Sequence, residues 1–127
     1  MYKLLLIFLG SGLGGVLRFA LSGWVQRLSE GTFPIGTLLV NVVGCLLIGA
    51  LSGLFSGRLL VREEVRTMLF IGLLGGFTTF STFGIETFSM LNEGQRLFAL
   101  LNGLLSVVGS VLAVWIGYRV SEAWFGA

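Results

Sequence analysis

Histidine is absent, cysteine occurs once, at Cys45, and proline once, at Pro34. These absences exclude a good deal. A single cysteine cannot form an internal disulfide, and without histidine no Cys/His metal cluster can be assembled. No Ser-His-Asp set, carboxylate pair or phosphate-cradling lysine loop is present either. Charge is scarce: 8 basic and 6 acidic residues make up 11% of the chain. The net charge of +2 is small and its basic residues are scattered, so nucleic acid is not an expected partner. Cys45 lies within an apolar run, and a small buried apolar residue is the reading that suits it.

Hydrophobic residues and glycine are abundant. Of 127 residues, 55% are hydrophobic and 20 are glycine, and a single proline shows that the glycines do not belong to loops. That balance describes a multi-span membrane protein whose helices approach one another through small residues. Four apolar segments, near Leu4–Val25, Pro34–Leu54, Met68–Leu91 and Leu97–Val120, each approach the ~20 residues needed to cross a bilayer. The expected architecture is a single all-α transmembrane domain over residues 1–127. Lys3 ahead of the first apolar run imitates a secretion signal. The run continues past Arg18 without a small-residue cleavage site, and it is expected to remain as a span.

The third segment is built to break. Gly72–Glu86 contains the adjacent pair Gly75 and Gly76, then four hydroxyls at Thr78, Thr79, Ser81 and Thr82. Glycine holds a helix poorly, and hydroxyls compete for backbone groups. Phe77, Phe80 and Phe83 recur every three residues, which in a continued helix gathers them roughly on one face. Glu86 closes the stretch within the apolar span, as a helix-end group or as part of a site. Irregular backbone at membrane depth requires protein or a wet cavity around it.

Other polar residues leave two readings each. Arg18, at about 2.5–3.5 kcal/mol in a mid-membrane helix, either snorkels to an edge or supplies positive charge to an anion path. Asn41 either bonds a neighbouring helix or donates into a pore. Asn102, Ser106 and Ser110 repeat at intervals of four and so share one face of the fourth helix. Gly10, Gly12 and Gly15 spell GxGxxG, with Glu30 twenty residues beyond Gly10, as in a dinucleotide-binding turn. No βαβ pattern surrounds them, and Gly10 with Gly14 fits close helix packing instead. With both termini on one side, that side carries Lys3, Arg58, Arg62, Arg66 and Arg119 against Arg27 and Arg96 on the other, with Arg18 toward the latter, a mild bias. The intramembrane polar groups are mainly hydroxyls, amides, one arginine and aromatic ring edges, a set suited to an anion rather than a cation.

The stretches Gly14-Gly15-Val16-Leu17-Arg18-Phe19, Gly36-Thr37-Leu38-Leu39-Val40-Asn41 and Gly75-Gly76-Phe77-Thr78-Thr79-Phe80-Ser81-Thr82-Phe83, together with the four-span layout, resemble the bacterial fluoride channels of the Fluc (CrcB-like) family. The resemblance covers essentially the whole chain. It implies an antiparallel, dual-topology homodimer in the bacterial inner membrane, in contact with lipid. Two pores at the dimer interface would pass fluoride passively and relieve fluoride toxicity. Phe80 and Phe83 would present ring edges to the ion and Asn41 would donate to it, with Ser81, Thr82, Ser106 and Ser110 completing the fluoride pathway. Arg18 would set the vestibule potential. Backbone carbonyls of Gly75 and Thr78 would hold a structural sodium ion at the dimer centre. A paired second subunit is a further arrangement known to the family. Two rivals stand beside this reading. A small multidrug transporter needs a carboxylate in its first span, where this chain has Arg18. A non-transporting scaffold accounts for the glycines but not for the hydroxyl and phenylalanine cluster.

Overall fold

The computed structural model describes residues 2–56 and 60–125. Arg58, counted above on the side of the termini, lies outside the described residues. Four helical spans cover Tyr2–Leu28 (α1), Ile35–Ser56 (α2), Glu63–Asn92 and Arg96–Phe125 (α6), each long and apolar enough to cross a membrane. The expected segments are all recovered, extended by a few residues at most of their ends. The third span is composite. It runs through a short helix α3 (Glu63–Thr67), a π-helical stretch (Met68–Leu74), a single turn α4 (Gly75–Phe77), an interruption, and α5 (Ser81–Asn92).

The short connections are tied by backbone and side-chain bonds. Gln26 near the end of α1 donates from Nε2 to the Phe33 carbonyl and accepts on Oε1 from the Gly36 N–H, both at 3.0 Å. One side chain thus closes the first loop and satisfies an amide that the start of α2 leaves without a helical partner. Between α5 and α6, Gly94 takes a positive φ of 80°. Gln95 N–H bonds the Met90 carbonyl and Gly94 N–H bonds that of Leu91, at 2.7 and 3.1 Å. This is a Schellman termination, for which glycine carries no Cβ penalty.

Helix pairing follows the glycines. α2 and α6 run parallel and pack closely, with Gly49 against the backbone of Val114, and Gly117 against that of Leu46 and Ala50. α1 packs on the first half of the third span through two glycine pairs. Gly10 and Gly14 face Met68, Leu73 and Phe77, while Gly72 and Gly76 face Ile7 and Ser11. A Cβ on Gly10 would stand 2.9 Å from the Met68 carbonyl oxygen. Gly12 and Gly15 have open space around them. The GxGxxG string is therefore read by packing, with Gly10 and Gly14 as the working pair.

The packing turns the chain inside out relative to a water-soluble domain. Phe8, Phe19, Phe80 and Trp124 stand exposed, while Thr37, Asn102, Ser106 and Ser121 are buried. An apolar exterior with polar groups gathered inside is the arrangement a lipid environment favours. The chain is a multi-pass membrane protein.

Gly49→Val would press a branched side chain into the Val114 backbone, whereas Gly12→Val would enter open space. Overpacking of this kind costs about 1–3 kcal/mol. Thermal unfolding in detergent is expected to show a lowered midpoint for Gly49→Val and an unchanged one for Gly12→Val.

Candidate functional site

The interruption of the third span does not fall at the glycine pair. Gly75 keeps helical angles (φ −62°, ψ −38°), and Gly76 is used for close approach to Ser11. The chain leaves the helix at Thr78, which is extended (φ −89°, ψ 161°), and re-enters it at Ser81. The glycines serve contact, and hydrogen bonds from neighbouring groups make the break.

Those bonds account for the backbone there almost group by group. Asn41 of α2 donates from Nδ2 to the Thr79 carbonyl (2.8 Å) and accepts on Oδ1 from the Thr79 N–H (2.7 Å). A side-chain amide here pairs with both backbone groups of one residue, as a neighbouring strand would. Thr82 N–H bonds Thr79 Oγ1 at 3.2 Å, supplying a cap at the start of α5. Thr78 N–H and Thr78 Oγ1 both reach the Leu74 carbonyl at 3.0 Å. Arg18 Nε donates to the Gly76 carbonyl at 3.0 Å. That carbonyl has lost the amide a continued helix would bring, and a cation at a helix C-terminus also suits the helix dipole.

Three carbonyls are left over: that of Phe77, which no Ser81 N–H reaches, and those of Gly75 and Thr78. Thr79 N–H, the helical partner of the Gly75 carbonyl, has gone to Asn41. Thr82 N–H, the partner of the Thr78 carbonyl, has gone to Thr79 Oγ1. Gly75 and Thr78 therefore present oxygens without their helical donors, and both line a groove.

That groove, about 390 Å³, gathers most of the expected site: Asn41, Gly75, Thr78, Phe80, Phe83, Ser106 and Ser110. Cys45 borders it as well, half-buried and free. The rings of Phe80 and Phe83 lie 5.6 Å apart and tilted by 35°, and Phe80 is 82% exposed. Phe77 is only 7% exposed and packs near Gly14 and Gly44. The three phenylalanines do not share a face, because the break turns the chain between the first and the other two. Ser106 Oγ is buried without a hydrogen-bond partner. The Asn41 amide has spent one Nδ2 hydrogen on Thr79, no bond among the described residues takes the second, and Asn41 lines the groove.

A second, wider cavity of about 720 Å³ lies on the other side of the break and holds Arg18, Thr82 and Glu86. Thr79 borders both spaces. Ser81 is exposed and borders neither. Glu86 sits within α5 rather than at a helix end, with Oε1 buried and unpartnered. Among the described residues no cluster of His, Cys, Asp or Glu could hold a metal.

Three contributors have bonding partners that the sequence did not reveal, and one of them, Thr87, was not singled out at all. Asn102, 2% exposed, donates to Thr87 Oγ1 (2.9 Å), which donates to the Phe83 carbonyl (2.7 Å). This chain of bonds ties the Phe83 turn of α5 to α6. Thr79 is the third, through the double bond with Asn41. The spacing of Asn102 from Ser106 was visible, but nothing in the sequence pairs it with Thr87.

Comparison with known proteins fits these features. The sequence profile of the family described as CrcB-like protein, Camphor Resistance (CrcB), matches residues 5–118. The chain belongs to the CrcB-like family. A relative from Chloroflexus aurantiacus, named fluoride-specific ion channel FluC, is 47% identical over 126 residues, covering 99% of each chain. Relatives of the same name from Methylobacillus flagellatus (43% identical, 94% of each chain) and Coxiella burnetii (47% identical, 94% of this chain and 98% of the other) match almost as fully. This CrcB-like chain thus falls among ion channels and not among enzymes.

Asn41→Leu would orphan both the N–H and the carbonyl of Thr79. Each unsatisfied buried group costs about 1–3 kcal/mol. The expected outcome is a marked fall in the thermal midpoint in detergent, with helix content in the remaining folded protein nearly unchanged.

Proposed function

We propose that the chain is the subunit of a fluoride-selective channel that lets fluoride leave the cell passively across the cytoplasmic membrane and so limits its toxicity. The single observation that carries this reading is the groove beside the break. It joins one free amide hydrogen of Asn41, the unpartnered Ser106 hydroxyl, Ser110 and the Phe80–Phe83 pair. Carboxylates are missing from its lining, so the side chains it offers an ion are hydroxyl and amide donors and ring edges set in an otherwise apolar wall. A small, strongly hydrated anion gives up water only to donors of this kind. Near-full-length relatives named for fluoride agree with it.

In this reading Phe80 and Phe83 offer ring edges, while Asn41, Ser106 and Ser110 donate along the path. Thr82 and Arg18 belong to the wide cavity, which acts as a vestibule where Arg18 raises the local anion concentration. Ser81 is the member with least support, since it borders neither space. The groove is open along one side, and a second copy inserted antiparallel would close it. Two copies would then enclose two pores at their interface.

A structural sodium ion fits the groups left over at the break. Hard cations take several oxygen ligands, and one chain offers the carbonyls of Gly75 and Thr78. A second copy facing the first would double the set. The ion would neutralise carbonyl dipoles that otherwise face one another in a low dielectric.

Fluoride efflux from potassium-loaded liposomes, with valinomycin present and chloride run in parallel, tests the proposal. Fast fluoride release without chloride release is the expected result, and no release from folded dimer would overturn it. Phe80→Ile and Phe83→Ile should each cut fluoride flux at least tenfold, the equivalent of ~1.4 kcal/mol on the barrier, with the dimer still assembled. Thr78→Ser should keep sodium bound, because the ligand is the backbone carbonyl and serine can repeat the bond to Leu74. Anomalous scattering from a heavier monovalent cation soaked into crystals of the variant would report loss of the site.

A further inference from the structure

The groove has a second end, which Arg18 does not reach. From the break it follows Asn41 to Ile48 on α2 and Ser106 to Val111 on α6, and finishes at Phe70 on the π-helical stretch. The ring of Phe70 is stacked on Phe55, with centroids 5.8 Å apart and planes inclined by 18°. The guanidinium carbon of Arg66 lies 5.5 Å from the Phe70 centroid and 6.0 Å from that of Phe55. A cation over ring faces is held by their quadrupoles, so a flexible side chain gains a fixed seat.

The charges at this end of the bundle make Arg66 stand apart. Lys3 pairs with Glu63 at 2.6 Å, Arg62 with Glu64 at 3.5 Å, and Arg119 with Glu122 at 3.4 Å. Each carboxylate among the described residues here is engaged by another base. Arg66 is the described base at this end that forms no ion pair, and it is the one resting on a ring that lines the groove.

We propose that Arg66, seated on the Phe55–Phe70 stack, is the fixed positive charge that draws anions to the far mouth of the groove. It rests on the channel reading above and extends it: the path carries a cation at each end, Arg18 held by a backbone carbonyl and Arg66 held by two rings. Arg66 is exposed and acts through the field rather than by touching the ion within the path.

The test compares fluoride flux of wild type, Arg66→Gln, Arg66→Lys and Arg62→Gln in liposomes at low and high ionic strength. A unit charge about 10 Å from the path in water changes local anion concentration about twofold, and a Debye length of ~30 Å at 0.01 M leaves that effect in place. Arg66→Gln is expected to lose about half the flux at 0.01 M and to match wild type at 1 M, where screening falls to ~3 Å. Arg66→Lys should keep most of the low-salt flux. Arg62→Gln removes the same charge from a paired base and should lose clearly less than Arg66→Gln. Unchanged low-salt flux in Arg66→Gln would overturn the inference, and so would a loss equal to that of Arg62→Gln. A deficit persisting at 1 M would assign Arg66 a purely structural role and overturn it as well. Wild type that passes no fluoride would overturn the channel reading itself, and this one with it.

Discussion

Within a bilayer the backbone has no water to turn to, so a helix can be interrupted only where other groups take over its hydrogen bonds. Everything distinctive in this chain depends on how that demand is met at Thr78–Phe80. Asn41 takes both groups of Thr79, Arg18 takes the Gly76 carbonyl, and the Thr79 hydroxyl takes the Thr82 amide. Three different elements thus converge on one turn. α1 contributes the arginine, α2 the asparagine, and α5 begins on the cap. The break is a junction that holds α1, α2 and the two halves of the third span in register.

The same bonds set the electrostatics on its two sides. Arg18 is fastened through Nε to the Gly76 carbonyl and lines the wide cavity. Asn41 keeps one donor in reserve. A polar group wholly consumed by the scaffold could do nothing for an ion, and one wholly free would be costly to bury. In the proposed channel, sharing each group between scaffold and path answers both demands. Asn102 and Thr87 extend this principle outward by fastening the Phe83 turn to α6. Phe83 can then keep one orientation beside the exposed ring of Phe80.

How much of this was legible beforehand differs by the kind of signal. Span number and extent were legible because each apolar run has to match the bilayer on its own, without help from the rest of the chain. That the third span breaks was also legible, since Gly75, Gly76 and four hydroxyls are poor helix material in any context. The break falls inside the expected stretch Gly72–Glu86, but its position within that stretch was not legible. Gly76 lies against Ser11 and both glycines remain helical, since close helix contact stabilises what intrinsic propensity does not. The choice of Thr78–Phe80 belongs to Asn41, thirty-eight residues earlier, and no local pattern could carry that. The phenylalanine period would hold only in a continued helix, and with the break present Phe77 lies in the core while Phe80 is exposed.

The glycines bear on why a small chain can hold such a junction steady. Backbones at Gly10, Gly14, Gly49 and Gly117 approach until a single added carbon would collide with a neighbouring helix. In lipid the apolar surface of a helix gains little by burial, and contact of this closeness provides the association instead. Side chains at the break are then positioned by rigid backbones rather than by mutual packing alone. This explains the division of labour along α1, where Gly10 and Gly14 set the distance to the third span and Arg18, one turn beyond Gly14, meets the Gly76 carbonyl. Loosening either glycine contact would move the backbone that carries Arg18. The distant packing and the local chemistry are therefore one constraint, read at two points of the same helix.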